Sequence, residues 1–334
     1  MGLEGMGSMK VCIVGAGAIG GFLGARLAAN TDSVMSAVAR GDTAQALRRY
    51  GFRLAQGDQS LSGPVTVSES PADLGPQDLV ILSVKAPSLP GLAARLDPLV
   101  GPETILLSTL NGIPWWFFHK FGGPLQGSRV QAVDPDGIVS KHLPPAQVLG
   151  CVVHATCSVQ EPGLVRHGLG ETLIIGDPAG GVSQRAEIVA ALLGRAGFEA
   201  PLSSRIQADI WLKLWGNMTM NPISALTGAT CDRILDDPLV NRFCLSIMDE
   251  AARIGTMIGC PISLSGEERN AMTRRLGAFK TSMLQDSEAG RPLEIDGLLG
   301  SVREIANRLK FETPHLDNLL GLIRLMGRVR GLYA

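Results

Sequence analysis

Residues 10–20 read KVCIVGAGAIG, and this stretch is the clearest indication of the fold class. Residues 10–14 are typical of a short buried strand, with an apolar run after Lys10, and a helical pattern follows as far as Ala29. Strand, glycine motif and helix in this order predict a dinucleotide-binding turn, in which the first helical N–H groups face the phosphates. The alternative is glycine-rich packing without a ligand. The six motif positions are Gly15, Ala16, Gly17, Ala18, Ile19 and Gly20.

The three glycines of this motif have separate tasks. Gly15 allows the tight turn, Gly17 lets a pyrophosphate approach the backbone, and Gly20 lets helix and strand pack closely. The motif alone is weak evidence. Its position between a strand and a helix, ten residues into an α/β chain, makes the prediction of dinucleotide binding much stronger.

The end of the second predicted strand indicates which dinucleotide is preferred. This strand covers about residues 34–39 and is followed by Arg40-Gly41-Asp42. A site for NAD(H) usually has Asp or Glu here for the ribose 2′-hydroxyl, whereas a guanidinium binds a 2′-phosphate with charge-assisted hydrogen bonds. We therefore predict NADP(H), with Arg40 at the 2′-phosphate. A plain surface arginine is the alternative, and the nearby carboxylate of Asp42 leaves this alternative open.

Two further strands end at polar residues. Residues 78–84 form an apolar run that ends at Lys85, and residues 104–110 end at Asn111-Gly112. Ligands of open parallel sheets lie at the carboxyl ends of the strands, so both side chains are candidates for a cofactor site. A plain turn is the alternative for Asn111-Gly112.

The rest of the chain changes from strands to helices. Residues 148–175 predict antiparallel strands that close the sheet, and residues 180–197 predict one more helix. We predict an α/β fold with an N-terminal Rossmann-type domain over residues 9–204 and an all-helical domain over residues 205–334. Apolar spacing in the second domain predicts helices at 206–226, 238–258, 265–285, 294–309 and 314–330.

The first of these helices carries three polar residues at four-residue intervals: Lys213, Asn217 and Asn221. Four residues turn a helix slightly past one revolution, so the three side chains share one face of an otherwise apolar helix. A lysine in such surroundings either extends its amine to solvent or has a task.

Composition excludes several classes of protein. The net charge is −1 without blocks of like charge, so we expect neither nucleic acid nor a membrane as partner. The six cysteines form no close pair and the five histidines are dispersed, which predicts no metal site and reduced thiols in the cytoplasm. The uncharged run after Lys10 resembles a signal peptide, but Arg26 interrupts it. Met1–Ser8 is glycine-rich and has no pattern, and we expect either a disordered leader or a segment that is partly foreign to the native chain.

These motifs, with two more near the C-terminus, show that the chain resembles the ketopantoate reductases (2-dehydropantoate 2-reductases). The additional motifs are SMLQD at residues 282–286 and RPLEID at residues 291–296. The resemblance implies a Rossmann domain followed by a helical domain, as in the 6-phosphogluconate-dehydrogenase-like group. It also implies NADPH-dependent reduction of the small-molecule 2-oxo acid ketopantoate to pantoate, on the pathway to pantothenate and coenzyme A. The family analogy allows a homodimer.

The resemblance also implies roles for individual residues. Lys213 would be the general acid, and Glu294 would support the lysine or the substrate. Asn111 would lie beside nicotinamide and substrate, and Lys85 would lie near the cofactor. The substrate's polar groups would be bound by Asn217, Asn221 and Ser282.

Two features depart from the family pattern. Phe279 stands where many members have a polar residue, and an aromatic run, Trp115-Trp116-Phe117-Phe118, follows Asn111-Gly112 closely. This run either packs in the core or forms a bulky wall of the substrate pocket. Two alternatives to ketopantoate reduction therefore stay open: the same chemistry on another bulky 2-oxo acid, and a non-catalytic NADP(H)-binding sensor.

Overall fold

The structure, a computed structural model, describes residues 8–334; the leader predicted at Met1–Ser8 lies, except for Ser8, outside the described residues. Two compact units are present. Within the described residues, one comprises residues 8–110 together with Ile138–Ile206, and the other comprises Asn111–Gly137 together with Gln207–Ala334. The domain boundaries 9–204 and 205–334 stay a prediction, from which these units differ in the segment 111–137 and at residues 205–206.

The first unit is built from strands that form two sheets. Among the described residues these are β1 (Lys10–Val14), β2 (Val34–Val38), β3 (Phe52–Gln56), β4 (Gln59–Gly63), β5 (Thr66–Ser68), β6 (Gln77–Leu82), β7 (Val100–Ser108), β8 (Val148–His154), β9 (Cys157–Glu161), β10 (Leu164–His167), β11 (Thr172–Gly176) and β12 (Leu202–Ser203).

The larger sheet has eight strands in the order β12-β11-β8-β7-β6-β1-β2-β5. Its neighbours are parallel except β8 and β11, which run antiparallel. The smaller sheet has the order β4-β3-β10-β9. The antiparallel closure predicted for residues 148–175 therefore holds for β8 and β11, whereas β9 and β10 join the second sheet.

Burial explains why the central strands are apolar. Residues 11–14 of β1 are completely buried, because neighbouring strands and covering helices leave no solvent-facing side. The helices of this unit are α1 (Ala18–Asn30), α2 (Gly41–Tyr50), α3 (Leu89–Leu92), α4 (Ile138–His142) and α5 (Gln184–Arg195).

The second unit is mainly helical. It contains α6 (Ile206–Thr227), α7 (Cys231–Asp236), α8 (Pro238–Ile258), α9 (Gly266–Arg274), α10 (Ser282–Glu288), α11 (Ser301–Arg308) and α12 (Pro314–Val329). The first residue of α6, Ile206, belongs to the first unit. A π-helical turn, Asp296–Gly300, precedes α11.

The prediction of one helix over residues 265–285 was wrong. The chain leaves the helical conformation after α9, where Gly277 has a φ of +65°. It enters α10 at Thr281, whose side chain accepts a hydrogen bond from the amide of Leu284. A glycine in the left-handed region and a new N-cap thus divide the apolar pattern between two helices.

Candidate active site

The glycine turn after β1 has the geometry that a dinucleotide needs. Gly15 has a φ of +93°, and a Cβ built on it would lie 2.8 Å from the backbone nitrogen of Val84. A Cβ on Gly20 would lie 2.1 Å from the carbonyl oxygen of Gly15, whereas a Cβ on Gly17 would meet nothing within 4 Å. Packing therefore requires glycine at positions 15 and 20. At Gly17 the space beside the backbone is open, so a ligand can approach the backbone there.

The N-terminus of α1 is open to an anion. Within this helix, no side chain caps the N-terminus and no acidic residue lies in the first turn. The free amide groups and the helix dipole favour a phosphate at such a position. The motif residues Gly15–Gly20 thus fit the pyrophosphate of a dinucleotide.

Arg40 lies at the carboxyl end of β2, which is the parallel neighbour of β1. It occupies the N-cap position of α2 and is exposed. Within residues 8–334, its guanidinium has neither a hydrogen-bond partner nor an ion-pair partner, so it is free to bind an anion. Asp42 is also exposed in the first turn of α2.

Lys85 follows the carboxyl end of β6 and is partly buried. At the ends of β6 and β7, the hydroxyl groups of Ser83 and Thr109 lie 2.9 Å apart and form a hydrogen bond. Lys85 is thus found at the edge of the sheet where the sequence placed it.

In the second unit, Lys213 and Asn111 are in direct contact. The Nζ atom of Lys213 donates a 2.8 Å hydrogen bond to Oδ1 of Asn111. Asn217 and Asn221 follow Lys213 on α6, which continues through Pro222 without a break. Lys213 and Asn217 are partly buried, and Asn221 is 6% exposed.

The backbone after Asn111 is fixed by the π-helical turn. Gly112 has a φ of +78°, and a Cβ built on it would lie 2.2 Å from the carbonyl oxygen of Gly297. The amide of Ile113 donates a 2.9 Å hydrogen bond to the same oxygen. The turn begins two residues after Glu294, and such turns are frequent at functional sites. The loop after the predicted Asn111 therefore packs against the turn that begins shortly after the predicted Glu294.

Asp296, the first residue of the turn, is held by residues that sequence reasoning missed. Its carboxylate accepts hydrogen bonds from Arg324 at 2.9 Å and from the hydroxyl of Tyr333 at 2.9 and 3.0 Å. Burial and the Asp296 carboxylate raise the pKa of Tyr333, so the phenol keeps its proton and remains a donor. No sequence motif pointed to these two residues, because both lie in the last predicted helix or beyond it.

Ser282 is the first residue of α10 and is exposed, whereas Glu294 is partly buried. Both lie in the same unit as Lys213, on other elements. Their roles stay predictions.

The aromatic run after Ile113 lies in the core. Trp115, Trp116, Phe117 and Phe118 are all 5% exposed or less. The ring of Phe117 lies 6.3 Å from that of Trp211 on α6. The structure therefore favours core packing for these residues over a wall of a substrate pocket.

Four cysteines have a pKa above the ordinary value, and none of these four is an activated nucleophile. Burial raises the pKa of Cys12 and Cys231 to about 11, and that of Cys157 and Cys244 to about 12. These thiols stay protonated at neutral pH and are unreactive. All six cysteines lie in the described part of the chain as free thiols. Over residues 8–334, no helix is long and apolar enough to cross a membrane.

Fold and site together define a class of protein: a Rossmann-type α/β protein with a helical unit that presents a lysine–asparagine pair. The family model described as "Ketopantoate reductase PanE/ApbA" matches residues 11–180, and its C-terminal counterpart matches residues 205–327. The chain belongs to the ketopantoate reductase family, whose members are oxidoreductases that use a nicotinamide cofactor.

Individual relatives agree over the whole length. A 2-dehydropantoate 2-reductase from Mesorhizobium japonicum is 40% identical over 98% of this chain and 100% of its own. A crystal structure assigned as a ketopantoate reductase from Ralstonia solanacearum MolK2 has a TM-score of 0.94 and 56% identity, covering 98% of this chain and 100% of its own. A 2-dehydropantoate 2-reductase from Methylococcus capsulatus has a TM-score of 0.82 and 27% identity, covering 96% and 98%.

Proposed function

We propose that the protein reduces a 2-oxo acid with NADPH, and that the substrate is ketopantoate (2-dehydropantoate), which becomes pantoate. The observation that carries this proposal is the 2.8 Å hydrogen bond from Lys213 to Asn111. It fixes a cationic proton donor next to an amide in a family of nicotinamide-dependent oxidoreductases. The relatives named as 2-dehydropantoate 2-reductases support the choice of substrate.

Lys213 is the general acid of the proposed reaction. A reduced nicotinamide, when bound, supplies the hydride for the ketone carbon. The ammonium group of Lys213 stabilises the negative charge that develops on the ketone oxygen and then gives that oxygen a proton. One of its three N–H groups donates to Asn111, and this hydrogen bond orients the amine.

The other polar residues of the second unit bind and orient the acid in this proposal. Asn217 and Asn221 donate hydrogen bonds to the substrate's oxygens without adding charge, and Ser282 does the same with its hydroxyl. Glu294 supports the lysine or the substrate network. Asn111 serves both the substrate and the nicotinamide.

The first unit holds the cofactor in this proposal. The amide groups of Gly15–Gly20 bind the pyrophosphate, Arg40 binds the 2′-phosphate of NADP(H), and Lys85 lies near the cofactor. The support for Arg40 is its exposed guanidinium, which has no partner among the residues described. The pathway to pantothenate and coenzyme A, a cytoplasmic location and a homodimer complete the proposal.

The test is to mix the purified protein with NADPH and ketopantoate and to follow the loss of reduced nicotinamide by absorbance. Rapid turnover, with NADH much slower, is the expected result. Tight binding of NADPH without turnover of ketopantoate would overturn the choice of substrate. A panel of bulkier 2-oxo acids then separates a different substrate from a non-catalytic sensor, because only the sensor leaves every acid unreduced.

A further inference from the structure

Arg269 on α9 is a partly buried cation without a matching anion. Its Nη1 donates a 2.9 Å hydrogen bond to the hydroxyl of Thr273, one turn further along the same helix. Within residues 8–334 it forms no ion pair, and its Nε and Nη2 atoms have no hydrogen-bond partner. Neither nitrogen is among the completely buried unpaired atoms of the described residues, so both keep some exposure to solvent.

A comparison with Arg26 shows what the guanidinium of Arg269 lacks. Arg26 in the first unit is also buried, and its guanidinium has a carboxylate partner, Glu171, at 2.9 Å and two further acceptors. A buried charge is costly unless it is paired and hydrogen-bonded. Burial lowers the pKa of Arg269, which reflects the same cost. The neighbouring thiol of Cys231 does not supply the missing charge, since burial raises its pKa to about 11.

Arg269 lies next to the helix face that carries the proposed proton donor. A Cβ built on Gly216 of α6 would lie 2.7 Å from Nη2 and 3.0 Å from Cζ of Arg269. Gly216 follows Lys213 by three residues, and Cβ positions so spaced on a helix are about 5–6 Å apart. The guanidinium therefore lies within about 9 Å of the start of the Lys213 side chain.

A second contact links Arg269 to the segment that leads into Ser282. Cys231, beside Arg269, donates its amide hydrogen to the carbonyl oxygen of Phe279 at 3.0 Å. The aromatic side chain of Phe279 has no hydrogen-bonding group of its own. The guanidinium of Arg269 is thus a strong hydrogen-bond donor close to the polar face of α6 and to the segment before Ser282. The side chain of Phe279, in that segment, supplies no donor.

We propose that Arg269 binds the carboxylate of the 2-oxo acid and so directs the ketone toward Lys213. The carboxylate of such an acid is bonded to the ketone carbon, so its ligand must lie close to the proton donor. A guanidinium with two free nitrogen atoms matches the two oxygens of a carboxylate. This inference rests on the proposed function for the identity of the substrate, but an anion site at Arg269 does not depend on turnover.

The test compares an acid with its neutral ester. We expect the parent protein to prefer ketopantoate over its methyl ester. Arg269→Gln raises KM for the acid by about 10- to 100-fold, the usual effect of losing a charge-assisted hydrogen bond. It leaves the ester almost unchanged, so the preference for the acid disappears. Arg269→Lys, which keeps the charge, restores part of the preference.

The matched control is Arg275→Gln. Arg275 is exposed at the C-terminal end of α9, so this variant makes the same change of charge on the same helix. It should keep the parent's KM for both compounds. The affinity for NADPH, measured by fluorescence, should be the same in all four proteins. If Arg269→Gln weakens acid and ester equally, the arginine has only a structural role and the proposal is overturned.

A binding measurement separates this proposal from the proposed function. Oxamate, an unreactive analogue of a 2-oxo acid, is titrated into each protein in a calorimeter. If the parent reduces no 2-oxo acid but binds oxamate, and Arg269→Gln alone does not, the anion site stands and the proposed function fails. If the parent reduces ketopantoate and Arg269→Gln does so with unchanged KM, the function stands and the anion site is refuted.

Discussion

Gly112 and Gly297 pack backbone against backbone in the second unit. A Cβ on Gly112 would lie 2.2 Å from the carbonyl oxygen of Gly297, and that oxygen also accepts the amide hydrogen of Ile113. Asn111, the hydrogen-bond partner of Lys213, immediately precedes this contact. The π-helical turn at 296–300 therefore determines where the asparagine stands, and through it the orientation of the lysine amine.

Because of this contact, we expect that one methyl group added at Gly112 lowers the catalytic rate. In Gly112→Ala the new Cβ forces the loop away from Gly297 and displaces Asn111. Because a misplacement of about 1 Å can cost about 10²-fold in rate, we expect kcat to fall by 10- to 100-fold. Steady-state kinetics with NADPH and a 2-oxo acid provide the measurement.

Gly122→Ala separates the contact from the backbone strain of the substitution. Gly122 has a φ of +79°, almost the same as Gly112, but a Cβ there would meet nothing within 4 Å. Both variants lose stability because alanine is disfavoured at positive φ, by about 1–2 kcal/mol. Only Gly112→Ala should lose catalysis as well. Equal kcat values for the two variants would show that the Gly297 contact does not position Asn111.

Tyr333→Phe tests whether the C-terminus supports the turn. The variant removes the phenol that donates to Asp296, whereas Arg324 remains 2.9 Å from the carboxylate. We expect a loss of about 1 kcal/mol in the free energy of unfolding, since the carboxylate is partly exposed and keeps one partner. Urea denaturation measures it. Tyr50→Phe, at the exposed tyrosine in the first unit, should have no effect.

The stability contribution of Tyr333 should depend on pH in one direction. Its pKa in the folded protein is raised above the ordinary value of about 10 by burial and by Asp296. The folded state therefore keeps this proton longer than the unfolded chain does. The contribution is fully present below about pH 10 and declines as the pH rises through the folded value. The difference in stability between parent and Tyr333→Phe should shrink in that range and stay constant below it.

Lys213→Ala tests the proposed general acid. Without the amine, the developing charge on the ketone oxygen has no cation and no proton source, so kcat should fall by about 10²- to 10⁴-fold. The dissociation constant for NADPH should not change. Lys141→Ala, at an exposed lysine of α4, is the control and should keep the parent rate. A Lys213→Ala protein that turns over like the parent would remove Lys213 from the mechanism.

Arg40→Asp tests the choice of cofactor. The carboxylate repels a 2′-phosphate and accepts a hydrogen bond from a 2′-hydroxyl, so NADPH binding should weaken far more than NADH binding. Fluorescence titrations with both cofactors give the ratio. Arg49→Asp makes the same change of charge at the opposite end of α2 and should leave the ratio as it is. Equal losses for both cofactors in Arg40→Asp would contradict the assignment.

Much of the fold was predictable because its signals are local. The strand, glycine turn and helix at residues 10–30 are consecutive, and the apolar spacing of α6, α8 and α12 marked those helices within a residue or so of their observed ends. The helical face with Lys213, Asn217 and Asn221 follows from the period of the helix alone. The split between α9 and α10 was missed, because apolar spacing continues through a glycine that reverses the backbone.

The dinucleotide turn, the helical second half and the lysine on α6 can all be predicted without the structure. These depend on backbone sterics and on periodic burial, which neighbouring residues encode. The folded chain is needed to show that Asn111 contacts Lys213 and that Gly297 holds the loop after Asn111. It also shows that Arg269 has no anionic partner within residues 8–334. Such relationships join residues far apart in the chain. They exist only when packing brings those residues together, and no local pattern records which charge is left unpaired.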